Sequence, residues 1–217
     1  MDFWNSYSNK NLSRFSLANL EQDDSISRSK FEEEKSHLNK VIDFSDFKNV
    51  LDLGGGVGIW AEYFLENCEK VTLVEKQLQF IEIAKSNITS NRIEYVNVDL
   101  NDFESTEKYD FIFLSGVSIY FEDSEFVQLL KKIEKIILPD GVFVLRDAYG
   151  IDKEFFVDRI SEELNLHYKA KYRTLEQYYN LIKSNTKLNT IYSEDMYKDA
   201  LHFNKRKETR LRLMVFG

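Results

Sequence analysis

The sequence predicts an α/β fold built on a mostly parallel sheet, and three observations carry that prediction. From residue 49 onward, short apolar β-branched runs alternate with helix-like stretches, which is the pattern of βαβ units. One apolar run, NVLDL, leads straight into a glycine cluster and then into a helix-like IWAEYFLENC. Two strand-like runs, KLNTIYS and ETRLRLMVFG, close the chain.

Taken in order, residues 1–45 carry Phe3, Trp4, Tyr7, Phe15 and Phe31 among many polar residues, with a charged helical piece SKFEEEKSHLNKVIDF, and are expected to form an N-terminal helical cap. Residues 46–148 form the regular body. Its strands are NVLDL, KVTLVE, RIEYVNVD, YDFIFLSG and GVFVLRDA, and LQFIEIAKSN and SEFVQLLKKIEKIIL are helices between them. In the second of these helices Asp123 and Ser124 are placed to cap the start, and Phe126, Leu129, Leu130, Ile133, Ile136 and Ile137 form an apolar stripe. Pro139, Asp140 and Gly141 should stop it. From 149 to 187 the regularity lapses, apart from a helix TLEQYYNLIKSN opened by Thr174 with Gln177 as capping-box partner, and an insertion covering the substrate is expected. Residues 188–217 supply the closing strands, the last alternating Leu211, Leu213 and Val215 with Arg210, Arg212 and Met214, as a strand with one face more buried does.

A chain of 217 residues suits one domain, since this size buries roughly 70% of its unfolded surface. Hydrophobic residues at 43% and charged residues at 30% match a packed globular protein. The net charge of -8 argues against nucleic acid as substrate, because phosphate-neutralising proteins present basic faces. Local exceptions are Lys169, Lys171 and Arg173, and the NKRK run at 204–207. The single cysteine, Cys68, allows no internal disulfide, and no Cys/His cluster has metal-ligand spacing. The N-terminus MDFWNSYSNKN is unlike a signal peptide and no apolar stretch is long enough for a membrane span, so a cytoplasmic location without membrane contact is expected.

The segment VLDLGGGVGIW turns the backbone sharply, with no side chain in a ligand's way, beside a helix N-terminus. The GxxxxGK[ST] phosphate loop is absent. A dinucleotide-type pattern can be forced from Gly56, Gly58 and Ala61, which keeps an NAD(P)-dependent oxidoreductase as a rival. Asp52, however, stands two residues before Gly54 and gives DxGxGxG, which resembles motif I of class I S-adenosylmethionine-dependent methyltransferases. Glu75 at the end of VTLVEK, Asp99 and Leu100 in YVNVDLND, the YDFIFLSG strand and the LPDGVFVLRD turn and strand resemble the same family in order and spacing.

That resemblance implies a doubly wound, mostly parallel seven-stranded sheet with an antiparallel last strand. It also implies S-adenosylmethionine as cofactor and S-adenosylhomocysteine as product, bound by Asp52, Gly54, Gly56, Gly58, Glu75, Lys76, Asp99, Leu100 and Ser115, with Tyr7 closing over them. Ser115-Gly116-Val117-Ser118 replaces the Asn/Asp-Pro-Pro-Tyr/Phe of many nucleic-acid and glutamine methyltransferases, which points to oxygen or nitrogen of a small-molecule acceptor, with a sugar nucleotide or a surface-glycan or natural-product precursor as the expected type. LSGVSIYFED followed by LPDGVFVLRDAY also resembles protein N-terminal amine methyltransferases, which is the alternative. A cofactor-binding partner subunit without catalysis is a further alternative. Tyr120, Asp147, Tyr149 and His37 are the candidates for acid–base work, with Trp4, Arg146, Tyr172 and Arg173 facing the substrate and His167 as a further candidate. No metal site is expected.

Overall fold

The computed structural model describes residues 3–161, 166–197, 203–204 and 206–217; Lys205 of the NKRK run lies outside the described residues. Seven strands make one sheet in the order β3-β2-β1-β4-β5-β9-β8, and β6 and β7 make a two-stranded sheet. The chain divides into two compact units, Met1–Phe103 and Glu104–Gly217.

In the first unit, three helices precede the strands. They are α1 (Phe3–Ser8), α2 (Arg14–Asn19) and α3 (Asp24–Val41). Ser13 caps α2 by accepting from the Ser16 N–H, and Asp23 caps α3 by accepting from Ser25 and Ile26, each satisfying donors that a helix start leaves orphaned. Strands β1 (Asn49–Leu53), β2 (Lys70–Glu75) and β3 (Ile93–Asn97) pair in parallel, with Val50 opposite Val71 and Val71 opposite Ile93. Four of the five β1 residues and five of the six in β2 are buried, as in a parallel strand covered on both faces. Helix α4 (Ile59–Leu65) packs on β1 and β2, and α5 (Leu78–Asn87) on β2 and β3. Arg92 donates to the carbonyls of Leu65 and Cys68 at 2.8 and 2.6 Å, satisfying acceptors at the C-terminal end of α4.

In the second unit, β4 (Tyr109–Ser115) runs parallel to β5 (Ile137–Gly150), β9 (Thr209–Phe216) is antiparallel to β5, and β8 (Thr190–Asp195) is antiparallel to β9. Helix α6 (Asp123–Ile136) buries Phe126, Leu129, Leu130, Ile133 and Ile136, the expected stripe, but two details differ from expectation. Its cap is Glu122, in a reciprocal box with Glu125, because the Asp123 carboxylate is taken by Arg173 and Lys171. It ends at Ile136, before the Pro-Asp-Gly turn, which instead occupies the irregular start of β5, where the register with β4 shifts.

The larger difference lies between 149 and 187, where regularity does not lapse. Strands β6 (Phe155–Ser161) and β7 (Leu166–Tyr172) pair antiparallel, Phe156 opposite Lys171 and Ile160 opposite His167, and bury Val157, Tyr168, Ala170 and Tyr172. Helix α7 (Leu175–Asn185) follows, opened by the expected Thr174–Gln177 box. In β9 the expected one-face pattern does not appear: Arg210, Leu211 and Arg212 are all half-buried and Leu213 through Phe216 all buried, as befits a strand flanked by both β5 and β8. Among the described residues no helix is long and apolar enough to cross a membrane.

Arg173, expected to meet substrate, is instead wholly buried between β7 and α7. Its Nε donates to Asp123 Oδ1 at 2.8 Å, Nη1 to the Ser118 carbonyl at 2.8 Å and Nη2 to the Phe121 carbonyl at 2.7 Å. The rings of Phe126 and Tyr178 flank the guanidinium at 5.2 and 5.8 Å. Replacing it by methionine strands two carbonyls, each costing about 1–3 kcal/mol. Arg173→Met is therefore expected to lower Tm by about 4–24 °C, at roughly 2–4 °C per kcal/mol for a chain of this size. Lys169→Met, at an exposed ion pair, should barely change it. Equal melting temperatures for the two variants would show that the guanidinium is not structural.

Candidate functional site

The glycine loop of the first unit follows from its backbone angles. Gly54, Gly56 and Gly58 have φ of 69°, 55° and 79°, the left-handed region that costs other residues roughly 1–2 kcal/mol. The two glycines that matter most do so for opposite reasons. At Gly55 an added Cβ would lie 2.7 Å from both Asp52 Oδ2 and Leu73 Cγ, so the turn closes only without a side chain. At Gly56 the same Cβ would meet no atom within 4 Å, so the backbone there fronts open space.

Two acids stand under this loop. Asp52, in β1, is buried and its Oδ2 has no hydrogen-bond partner. Burial, then the nearby Glu75 charge, push its carboxyl up to about 7. Glu75, at the end of β2, is 9% exposed, accepting from Gly56 N–H at 3.1 Å through Oε2 and from Gln77 N–H at 2.8 Å through Oε1. Its carboxyl is raised as well, by burial. Asn97, which sequence reasoning missed, donates to the carbonyls of Glu75 and Lys76, both at 2.9 Å, and so fixes the loop after β2; only its place at the end of the third strand could have pointed to it.

Asp99 accepts from Asn101 N–H at 2.9 Å and lies 3.8 Å from Lys76 Nζ, half-exposed, and Leu100 beside it is buried. A buried acid with accepting lone pairs at the end of β2, an apolar residue after β3 and unfilled space at Gly56 fit an adenosyl ligand with a ribose diol. Tyr7 departs from expectation, being wholly buried with its hydroxyl donating to the Ser16 carbonyl at 3.1 Å; it anchors the cap instead of presenting a polar group. Trp4 stands edge-on to Tyr7 and Phe80, and His37 is half-buried on α3. Arg14, also missed, ties the cap to the loop by donating to the Val57 carbonyl at 2.8 Å and to Glu62 at 2.5 Å.

In the second unit the turn after β4 is organised by Asp147. This carboxylate, wholly buried, accepts from Ser118 N–H at 2.8 Å, Ser118 Oγ at 2.6 Å and Ala148 N–H at 3.0 Å, and burial raises its pKa. It is a structural acceptor and not the exposed acid that its place at the end of the fifth strand suggested. Ser118 Oγ also meets Tyr178 Oη at 2.9 Å. Arg146 donates to Ser115 Oγ at 3.1 Å. Tyr149 donates to Asp195 at 3.4 Å, and burial raises its phenol. His167 is exposed on β7, paired with Asp158 at 2.7 Å.

The hydroxyl of Tyr120 donates to Tyr168 Oη at 3.5 Å, and Tyr168 and Tyr172 share a contact of 3.0 Å. Burial raises all three phenols. Arg206 donates to Tyr172 Oη at 2.8 Å. Tyr168 went unnoticed in the sequence, where the Leu166, Tyr168, Ala170, Tyr172 alternation was the available signal, and Arg206 figured there only as part of the NKRK run.

A family model described as AdoMet dependent proline di-methyltransferase matches residues 2–198. The chain is 35% identical over 114 residues to alpha N-terminal protein methyltransferase 1 of Dictyostelium discoideum, covering 50% of this chain and 42% of that protein. It is 26% identical over 159 residues to O-methyltransferase 4 of the same organism, covering 71% and 46%. The chain therefore spans less than half the length of these two curated relatives. Among solved structures it is similar to a SAM-dependent methyltransferase of Leishmania major, with a TM-score of 0.75 at 15% identity, covering 99% of this chain and 81% of that one, a likeness of fold.

The Asp52 carboxyl generates a stability prediction. An acid raised in the folded state holds its proton more tightly there than in the unfolded chain, so stability falls as pH rises from about 4 to about 7 and levels off above. Asp52→Asn should flatten that slope, gaining stability over the parent at about pH 8 and little at about pH 4 in urea unfolding. Parallel curves for the two proteins would place the titration elsewhere.

Proposed function

The chain belongs to the family of AdoMet-dependent proline di-methyltransferases, and from that premise we propose that it transfers methyl groups from S-adenosylmethionine to the α-amine at the N-terminus of a polypeptide beginning with proline. The family description and the Dictyostelium relative support this acceptor over the small metabolite suggested by the acidic net charge and the Ser-Gly-Val-Ser turn.

The observation that carries the reading is the state of the expected bases in the second unit. Tyr120 and Tyr149 are phenols raised by burial, and Asp147 is raised and already engaged by Ser118. Buried phenols stay protonated, and a carboxylate whose oxygens are taken by Ser118 and Ala148 has none aimed at a substrate, so these groups serve poorly for removing a proton from a hydroxyl or a lysine. An α-amine asks less of them, because it titrates near about 7.7–8.0 and a sizeable fraction is neutral at physiological pH, whereas a lysine amine at about 10.4 is almost wholly charged. The protein's task reduces to holding a neutral lone pair in line with the methyl group and excluding water.

The cofactor, when bound, supplies an electrophilic methyl on a sulfonium. In this reading Gly54, Gly56 and Gly58 let the backbone approach its methionine portion, Glu75 accepts from the ribose hydroxyls, and Asp99 and Leu100 receive the adenine. Lys76 flanks these groups. Tyr120 positions the acceptor.

Two outcomes are expected. Gly56→Val should fold with some loss of stability, because no atom opposes the new Cβ but the φ of 55° strains a β-branched residue, and it should lose S-adenosylhomocysteine binding in titration calorimetry. Glu75→Ala should weaken it by about 1.5–3 kcal/mol per lost charge-assisted bond. Retained affinity in both would remove the loop from the cofactor site. With a proline-initiated peptide, kcat/KM should rise through about pH 7–8 following the peptide's own amine. Mass spectrometry should show up to two added methyl groups, and none on an acetylated peptide. A pH profile unchanged when the peptide amine is replaced by one of different pKa would assign the titration to the enzyme, and methylation of the acetylated peptide would exclude the α-amine.

A further inference from the structure

Glu75 is the group that would meet the ribose, and what keeps its carboxylate in place comes from the neighbouring strand. The register of β2 with β3 ends at Glu75 opposite Asn97. At that point the Asn97 side chain takes over from the ladder: Nδ2 donates to the Glu75 carbonyl and to the Lys76 carbonyl, both at 2.9 Å. An amide nitrogen carries two N–H groups, so both are spent on main chain. Asn97 is exposed, and water could serve the same carbonyls with little loss, since a hydrogen bond exchanged with water contributes modestly. Satisfying two acceptors does not account for the arrangement; fixing their direction does.

Direction matters here because of one peptide plane. The Lys76 carbonyl and the Gln77 N–H belong to the same planar trans peptide and point opposite ways. With the carbonyl held by Asn97, the N–H is aimed at Glu75, whose Oε1 accepts it at 2.8 Å. The other oxygen, Oε2, accepts from the Gly56 N–H at 3.1 Å, where the glycine loop fronts open space. Each oxygen thus holds one amide and keeps a further lone pair, and two such oxygens match the paired O–H donors of a vicinal diol. Gln77 precedes α5 and, among the described residues, makes no side-chain capping bond, so the helix start has no cap of its own to set that plane.

We infer that Asn97 is a positioning residue for ribose recognition: by holding the peptide between Lys76 and Gln77 from behind, it presents both oxygens of Glu75 to the two ribose hydroxyls of the adenosyl ligand. The inference rests on the reading in which Glu75 accepts from the ribose, and it has Asn97 act through Glu75 without touching the ligand. Loss of the Asn97 amide is then felt by a ligand that carries the diol and not by one that lacks it.

The test is titration calorimetry of the full chain with S-adenosylhomocysteine and with its dideoxyribose analogue, which lacks both ring hydroxyls. The parent is expected to bind S-adenosylhomocysteine at least about tenfold more tightly than the analogue. In Asn97→Ala that preference should shrink to less than about threefold, almost wholly through weaker binding of S-adenosylhomocysteine. Asn97→Asp, which keeps the shape and exchanges the donors for acceptors, should behave the same way, with melting curves confirming that both variants are folded at the assay temperature. A general structural role would weaken both ligands by the same factor and leave the preference intact, and that result in both variants would overturn the inference. The parent separates the two ways of failing: if it prefers S-adenosylhomocysteine and the variants keep the preference, the role of Asn97 falls and that of Glu75 stands, whereas equal affinity of the parent for the two ligands would remove the Glu75–ribose contact and Asn97 with it.

Discussion

Two carboxylates enclosed at the ends of neighbouring parallel strands set the terms for the first unit. Asp52 and Glu75 are both desolvated and close enough for one charge to raise the pKa of the other. Such burial is unfavourable unless donors are supplied, and the loop supplies them unevenly. Glu75 receives the Gly56 and Gln77 amides, whereas one oxygen of Asp52 is left without a partner. The absence of a Cβ at Gly55 keeps the Asp52 carboxylate in place, and Asn97 holds the far side of the turn after β2. The arrangement is understandable only as one that gives up apo stability for polar groups kept ready at the sheet edge.

The second unit solves a different problem, that of ordering the irregular turn between β4 and α6. Backbone groups there cannot join the sheet ladder, so side chains answer for them. Asp147 takes the Ser118 amide and hydroxyl, while Arg173 takes the Ser118 and Phe121 carbonyls. Acceptor and donor come from two later segments of the chain, β5 and the end of β7, and the turn is fixed only when both have folded onto it. Tyr178 joins the same knot from α7.

What the sequence made legible was local chemistry. The βαβ alternation, the DxGxGxG turn and the Thr174–Gln177 box are each written within a dozen residues, and each appears where expected. The misses share a cause. Glu122 rather than Asp123 caps α6 because a distant arginine captures Asp123, and Arg173 and Asp147 looked like site residues because charged side chains at strand ends usually face solvent. The β6–β7 hairpin escaped because its Phe, Tyr and charged residues do not separate cleanly into one wet and one dry face; Phe156 and Ile160 are exposed while Tyr168 and Tyr172 are buried. The grouping of Tyr168 with Arg206 depends on chain separation that no local window spans.

The guanidinium of Arg173 bears on how such a protein could diversify. The segment after β5 is where substrate preference would be expected to vary freely, like an exchangeable cover. Here that segment reaches back and supplies hydrogen bonds to the main chain of the turn after β4. Replacing this segment would remove those bonds, so the segment and the turn must change together. The segment and the turn form one hydrogen-bonded unit, and neither can be replaced without new donors for the Ser118 and Phe121 carbonyls.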